Sequence, residues 1–407
     1  MDIYLTPEHE RLRAEVREFA EGEVAPVARQ HDEASRFPWD NVAKMAARGF
    51  FGVNVPGRYG GQDRDYLSYL LTIEELARVD TSHAITISAH STLGMSPIQN
   101  FGNEAQKQRY LPLLARGAVL GGFGLTEPGA GSDAAASRTT AVRENGDYRL
   151  RGSKIFITHA GVGEVFVVTA VTDRELGTKG ITSFIVTKET VDRAEAERVG
   201  VGHAPELEPF TPGVRAGKKE DKMGWRASDT RELLLDDARV PAENRLGEEG
   251  QGFINFMKTL DSGRIGIGAL SLGLAQGAFE QALEFTGMRK QFGRSVNEFQ
   301  GVQFALADMA TEIEAARHMV YHAAWLKEKG RPFSKQASMA KLYASEVAMR
   351  ATTKAVQLHG GYGYTTDHPV ERMFRDAKIN EIGEGTSEIQ RLLIARHILG
   401  QADPDVS

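Results

Sequence analysis

No cysteine occurs among the 407 residues, which excludes disulfides, thiolate metal sites, iron–sulfur ligation and cysteine nucleophiles. Long apolar runs are absent as well. None approaches the ~20 residues that a membrane-spanning helix needs, so no membrane partner is expected. Lysine and arginine form no extended run and the formal net charge is −6. The chain therefore lacks the electrostatic footprint of a nucleic-acid or anionic-lipid binder. The opening segment MDIYLTPEHERLRAEVREFA has no basic stretch followed by an apolar core, so no secretory signal is read and a cytoplasmic location is expected.

Hydrophobic residues make up 41% and charged residues 26%, the balance of an ordinary globular protein. At this length one core is not expected to suffice, and two or three domains are predicted. From Thr6 to about Leu120 apolar residues recur at helical spacing, as in Leu12, Val16, Phe19 and in Leu70, Ile73, Leu76, Ala77. After Gly121 the texture becomes β-rich, with strands predicted over 148–158, 164–171, 180–186 and 231–240. The stretch from Lys188 to about Lys219, rich in Lys, Glu and Pro, reads as a long solvated loop. Beyond Pro241, four long periodic segments near 252–285, 299–329, 334–358 and 370–398 suggest a helical bundle.

Four segments carry chemistry. In GGFGLTEPGAGSD (121–133), glycines permit close backbone approach and free N–H groups for a heterocycle or phosphate, although a surface turn has the same composition. In KIFIT (154–158), Phe156 and Thr158 alternate onto one strand face, where a ring and a hydroxyl could meet a flat ligand; plain strand packing is the simpler reading. RKQFGRSVNEFQ (289–300) is a basic and aromatic turn in which Arg289 could fork onto a diphosphate or merely solvate a helix end. The fourth is QLHGGYGY (357–364) followed by RDAKINEIGEGTSEIQR (375–391). There Ser387 and Gln390 are predicted to form a capping box that starts a helix at Ser387. Glu384, flanked by two glycines just before it, is poorly covered by its own neighbours and can face either a cavity or solvent.

Two further patterns carry less. Gly266-Ile-Gly268 has the look of a dinucleotide fingerprint, yet it lies in a helical pattern, where small-residue packing explains it better. His318 and His322 share a helix face but lack a third ligand, so no metal site is expected.

Together, TEPGAGSD, the strand ending in IT, KEDKMGWRAS (219–228), RKQFG, HGGYGY and EGTSEIQ, in this order, resemble the acyl-CoA dehydrogenase family from about Leu5 to Leu399. The resemblance implies a mainly α fold with a β domain: an N-terminal helical domain over 1–122, a middle β-barrel over 123–240 and a C-terminal four-helix bundle over 241–407. It implies FAD as cofactor, an acyl-CoA substrate, an electron-transfer flavoprotein as acceptor, and a homotetramer. Phe123, Leu125, Thr126, Gly131, Ser132, Phe156 and Thr158 match the family's flavin contacts. Arg289, Phe292, Gln300, Gln357 and Gly361 match those made across a subunit interface, and Thr386 and Glu388 those made within the subunit. Ser132, Asp261, Arg264, Glu384 and Gly385 match substrate contacts, with Glu384 as the base.

Some members of the family carry the base on a bundle helix, at the position of Gly263 here, which cannot serve. Gly383 stands where an aromatic residue commonly precedes the base, so a wider pocket and a short, branched acyl group are expected. The alternatives on the same fold are an acyl-CoA or nitroalkane oxidase and a DNA-protecting flavoprotein. The chain length counts against an acyl-CoA oxidase, Glu384 in place of an Asp base against a nitroalkane oxidase, and the acidic end QADPDVS against a DNA-protecting role.

Overall fold

The computed structural model describes residues 5–401. Most of the acidic end, residues 402–407, lies outside the described residues. Among those described, no helix is long and apolar enough to cross a membrane.

The N-terminal third is helical: α1 (Pro7–Phe19), α2 (Ala25–Ala34), α3 (Trp39–Ala47), α4 (Tyr66–Ala77), α5 (Thr81–Ser88), α6 (Ser96–Phe101) and α7 (Glu104–Ala115). Thr6 caps α1, its hydroxyl accepting from the His9 N–H while the His9 ring accepts from the Thr6 N–H at 3.1 Å. The other nitrogen of His9 lies 2.9 Å from Asp65, which itself caps α4. One histidine thus locks the starts of two helices together. After α5 the chain continues as a wider π turn, Ala89–Met95.

The middle third is one eight-stranded sheet, ordered β6-β7-β3-β2-β4-β5-β8, with β1 pairing in parallel with β4. The strands are β1 (Gly121–Gly124), β2 (Thr140–Glu144), β3 (Asp147–Thr158), β4 (Val165–Val171), β5 (Ile181–Thr187), β6 (Val214–Lys219), β7 (Thr230–Val240) and β8 (Arg245–Leu246). Strands β4 and β5 are buried on both faces. Phe166, Val168 and Phe184 join Leu150, Leu233 and Leu235 in the interior of the sheet. Val165, Val167 and Ile185 pack outward against Tyr110, Leu111 and Leu114 of α7. The two-residue period of a strand therefore welds the sheet to the helices before it. Each such side chain contributes roughly 1.5–3 kcal/mol by leaving water.

The stretch 188–219 departs from the sequence expectation of a solvated loop. It forms a short helix, α8 (Arg193–Val199), and β6, and it buries Lys188, Thr190, Ala196, Val201 and Leu207. Arg198 on α8 pairs with Asp40 of α3 at 2.9 Å. The cause is tertiary: Ala196 and Val201 join a cluster with Trp39 and Val42 of α3, while Leu207 joins the one around Tyr110 and Leu111 of α7.

The last third comprises α9 (Gly252–Met288), α10 (Gln300–Glu328), α11 (Ser334–His359), α12 (Val370–Asn380) and α13 (Ser387–Ile398). Between α9 and α10 sits a small hairpin, Lys290–Gln291 with Arg294–Ser295. On α9, Gly266 faces Ser88 and Tyr69, and Gly268 faces Val320 and Ala340, so these glycines serve close helix packing. The stretch 370–398, one segment by periodicity, is two helices broken at 381–386.

A buried carboxyl ties the three parts together. Asp376 on α12 accepts from Thr81 Oγ1 at 2.5 Å and from the Trp225 N–H at 2.7 Å. Burial and the neighbouring Asp80 push it up to about 7.

Candidate active site

The break between α12 and α13 carries Glu384 in a left-handed backbone conformation, φ +53°, followed by Gly385 at φ +95°. A non-glycine residue adopts that conformation only at a cost that its surroundings must offset. Here the surroundings are specific. Lys341 of α11, fully buried, donates its Nζ to the Gly385 carbonyl at 2.7 Å. Gln390 of α13 donates to the same oxygen at 2.9 Å and to the Glu384 carbonyl at 3.4 Å. The helix does start at Ser387, but its cap is Thr386, whose hydroxyl accepts from the Ile389 N–H at 3.3 Å. The predicted capping box of Ser387 and Gln390 is therefore corrected: Gln390 is drawn away to the loop carbonyls, and the buried Ser387 hydroxyl has no partner.

Glu384 as a residue is half-buried, while its Oε2 is fully enclosed and accepts no hydrogen bond from the described residues. It points at Gly263 on α9. A Cβ built there would collide with Oε2, and Leu93 of the π turn lies next beyond. Burial pushes the Glu384 carboxyl up to about 7, with the positive charges of Lys341 and Arg264 pulling the other way. Lys341 is itself brought down to about 8 by burial, against the pull of Glu384.

The residue after Gly263 on α9, Arg264, forms a buried ion pair with Asp261. Ser334 donates to Asp261 at 3.0 Å. The Arg264 Nε is enclosed and has no acceptor among the described residues. Burial lowers the arginine and raises the aspartate from their ordinary ranges. Lys327 donates to Ser262 Oγ at 2.9 Å and the Tyr66 hydroxyl to the Ser262 carbonyl at 2.8 Å, so this stretch of helix is braced from two sides.

The β side has its own anchor. Glu127 in TEPGAGSD is buried and accepts from Ser137 Oγ at 2.5 Å, the Arg138 N–H at 2.7 Å and Lys154 Nζ at 2.7 Å. Burial opposes its charge, but Lys154 and these donors hold it down at about 2. Lys154 also donates to the Leu125 carbonyl at 3.3 Å, and the Ile155 N–H to the Thr126 carbonyl at 2.8 Å. The loop of 125–133 is thereby pinned to β3 while Gly131 and Ser132 stay exposed. The ladder to β7 slips between Lys154 and Ile157, and within that slip Phe156 takes φ +58°. Its ring is 61% exposed, Thr158 is partly exposed and Ile157 between them is buried. Phe123 stacks on Phe256 of α9 at 5.3 Å, joining β1 to the bundle.

Arg289, Gln357 and Gly361 meet elsewhere, in a cleft of about 590 Å³ between the end of α9 and the end of α11. Arg289 lies over the Tyr362 ring there at 5.5 Å. Phe292, 92% exposed at φ +52°, and the exposed Gln300 do not line this cleft. Glu388 is exposed on α13. His318 pairs with Glu314 at 3.3 Å and His322 stacks on Trp325. Sequence reasoning missed Glu127, Lys154 and Lys341. The available signal for Lys341 was its place on the small apolar stripe of α11, with Ala337, Ala344 and Ala348.

Comparison with known proteins agrees in order and extent. The chain matches three family descriptions in succession: acyl-CoA dehydrogenase N-terminal domain over residues 6–118, middle domain over 122–238 and C-terminal domain over 250–399. It is 50% identical to the short-chain specific acyl-CoA dehydrogenase of Clostridium acetobutylicum, over 98% of this chain and 100% of the relative. The butyryl-CoA dehydrogenase structure from Megasphaera elsdenii superposes with a TM-score of 0.91 at 44% identity, covering 98% of this chain and 100% of that one. A chain solved in work on the electron transferring flavoprotein of Acidaminococcus fermentans and flavin-based electron bifurcation superposes at 0.92 with 47% identity, over 98% and 100%.

Proposed function

We propose, for a chain that belongs to the acyl-CoA dehydrogenase family, that Glu384 is the base which removes the α-proton of a short acyl-CoA. The activity is the dehydrogenation of a short acyl-CoA thioester to its 2-enoyl product, with FAD as the cofactor of the family. The observation that carries the assignment of the base is the enclosed, unpartnered Oε2 of Glu384, raised to about 7.

The chemistry sets the demand. The carbon beside a thioester is a weak acid, so its base must be held at a fixed place and must not spend its lone pair on another donor. A free Oε2 on a loop tied by Lys341 and Gln390 satisfies both requirements. As the α C–H bond breaks, the proton passes to the Glu384 carboxylate and its electron pair becomes the Cα=Cβ bond while the β-hydrogen departs with two electrons. FAD, when bound, supplies the acceptor for that hydride.

The residues suit a flavin. Phe156 presents an exposed ring from a slipped strand, Thr158 shares its face, and the open loop at Gly131 and Ser132 leaves backbone free beside them. We read Phe123, Leu125 and Thr126, and with them Thr386 and Glu388, as further contacts of the cofactor. The Arg289, Gln357 and Gly361 cleft offers a guanidinium for a diphosphate. Phe292 and Gln300, left exposed in the single chain, are read as contacts to a neighbouring copy in a homotetramer. Asp261 and Arg264, with Ser132 and Gly385, make up the substrate side. An electron-transfer flavoprotein is the proposed acceptor, in keeping with the Acidaminococcus relative.

Anaerobic mixing of the FAD-loaded protein with butyryl-CoA tests this reading. Flavin bleaching is expected in the wild type. Glu384→Gln should bind FAD and acyl-CoA yet leave the flavin oxidised, and bleaching of that variant at the wild-type rate refutes the base.

A further inference from the structure

A buried lysine next to a buried base normally pairs with it directly. In this protein it does not. The hydrogen bond of Lys341 goes to the carbonyl of Gly385, one residue past the base, and Oε2 of Glu384 remains without a partner. A direct ion pair would fill the lone pair that proton abstraction requires. A lysine turned to the neighbouring carbonyl keeps its charge in the site while leaving the carboxylate free.

We propose that Lys341 is a positioning residue for the reaction, which sets both the direction and the charge state of Glu384 through the carbonyl of Gly385. The inference rests on Glu384 being the base.

Three observations support it independently. Lys341 lies on a helix face otherwise made of Ala337, Ala344 and Ala348, where a methionine would fill the same volume at no cost in desolvation. A fully buried ammonium is expensive unless it is compensated, and its compensation here is a single loop carbonyl and the carboxylates near it. Second, the bond it makes is to the loop whose backbone at Glu384 and Gly385 sits at positive φ. Releasing that carbonyl lets the loop relax and moves the carboxylate away from Gly263. Third, the charges around the base are few. From α11 there is Lys341; from α9, Arg264, itself engaged by Asp261; from α4, the hydroxyls of Tyr66 and Tyr69; from the loop and α13, Glu381 and Glu388. Because Arg264 is shared with Asp261, Lys341 is the cation whose charge most directly opposes the burial of Glu384.

Three substitutions separate geometry from charge. Lys341→Met removes both, Lys341→Gln keeps a donor toward Gly385 without charge, and Lys341→Arg restores the charge. The measurement is the rate of flavin reduction by butyryl-CoA from pH 5.5 to 9.5, with KM taken separately. Lys341→Met is expected to slow reduction about 100-fold, the scale of a base displaced by about an ångström, with KM little changed. In both neutral variants the acidic limb should move up by about one pH unit, since an opposite charge holds a carboxyl down by that much or more. Lys341→Arg should bring the limb back.

A merely structural lysine would lower the melting temperature without moving the limb. Acidic limbs that coincide in the Gln and Arg variants overturn the proposal, even if Lys341→Met does not fold. Should Glu384→Gln stay active, the assignment of the base fails. Should Glu384→Gln be inert while the Lys341 variants keep the wild-type pH profile, only the present inference fails.

Discussion

Oε2 of Glu384 occupies the space that a side chain on Gly263 would fill. One position lies on a helix and the other on a loop, and each is intelligible only through the other. The carboxylate is enclosed because α9 has no side chain at that turn, and α9 can spare one there because the carboxylate arrives from the α12–α13 loop. Gly263→Ala is therefore expected to displace the base without disturbing the flavin side. Flavin reduction by butyryl-CoA should fall by about 10²-fold, while FAD content and KM stay near wild type. Retention of the full rate would show that the loop has room to spare.

The charge state of the same group predicts two pH effects of opposite kind. Activity requires the carboxylate, so kcat/KM should drop as pH falls through about 7. For stability the sign reverses. A carboxyl raised in the folded state contributes stability fully below its unfolded value near 4.5, and that contribution is lost as pH rises through about 7. Glu384→Gln should accordingly raise the melting temperature by a few degrees at pH 8.5 and by little at pH 5. Equal shifts at both pH values would mean that the carboxylate is not desolvated.

On the β side, Glu127 and Lys154 form a buried ionised pair whose partners also hold the 125–133 loop. Removing one charge leaves the other stranded, at about 3–5 kcal/mol. Glu127→Ala should unfold at markedly lower denaturant concentration, and the protein that remains folded should release FAD more readily. Glu127 is held down at about 2, so its contribution is complete above pH 4.5 and fades only as pH drops toward 2. The gap between Glu127→Ala and wild type should instead narrow as pH rises toward 8, because burial brings Lys154 down to about 8 even beside Glu127 and lower without it, so the stranded lysine sheds its proton.

Gly383 offers a test of acyl shape. A Cβ placed there meets the Ile379 carbonyl at 3.4 Å and Ile379 Cγ1 at 3.9 Å, ordinary contacts, so a larger residue starts without a clash. Wild type is expected to reduce its flavin with 2-methyl-branched short acyl-CoA as well as with butyryl-CoA. Gly383→Tyr should lose the branched substrate selectively, read as a ratio of bleaching rates. An unchanged ratio would remove Gly383 from the determination of specificity.

Much of this was legible before the structure. The helices, β4, β5 and β7, and the helix start at Ser387 follow from periodicity and turn chemistry, which act over a few residues. The reading failed where a distant surface intervened. Gln390 was assigned to a cap by its spacing from Ser387, yet it donates to Glu384 and Gly385 because those carbonyls had no other partner within the loop. The stretch after Lys188 reads as solvated because its apolar residues are scattered, and it folds because α3 and α7 offer them faces.

By itself the sequence determined the order of the three parts, the family, and the one carboxylate set between glycines ahead of a helix. Tertiary structure alone decided that this carboxylate is enclosed, that Lys341 leaves it unpaired, and that Gly263 makes room for it. The physical reason is the range of the forces concerned. Propensity, capping and strand alternation are settled among near neighbours, whereas desolvation and charge coupling depend on what α9 and α11 bring from remote parts of the chain.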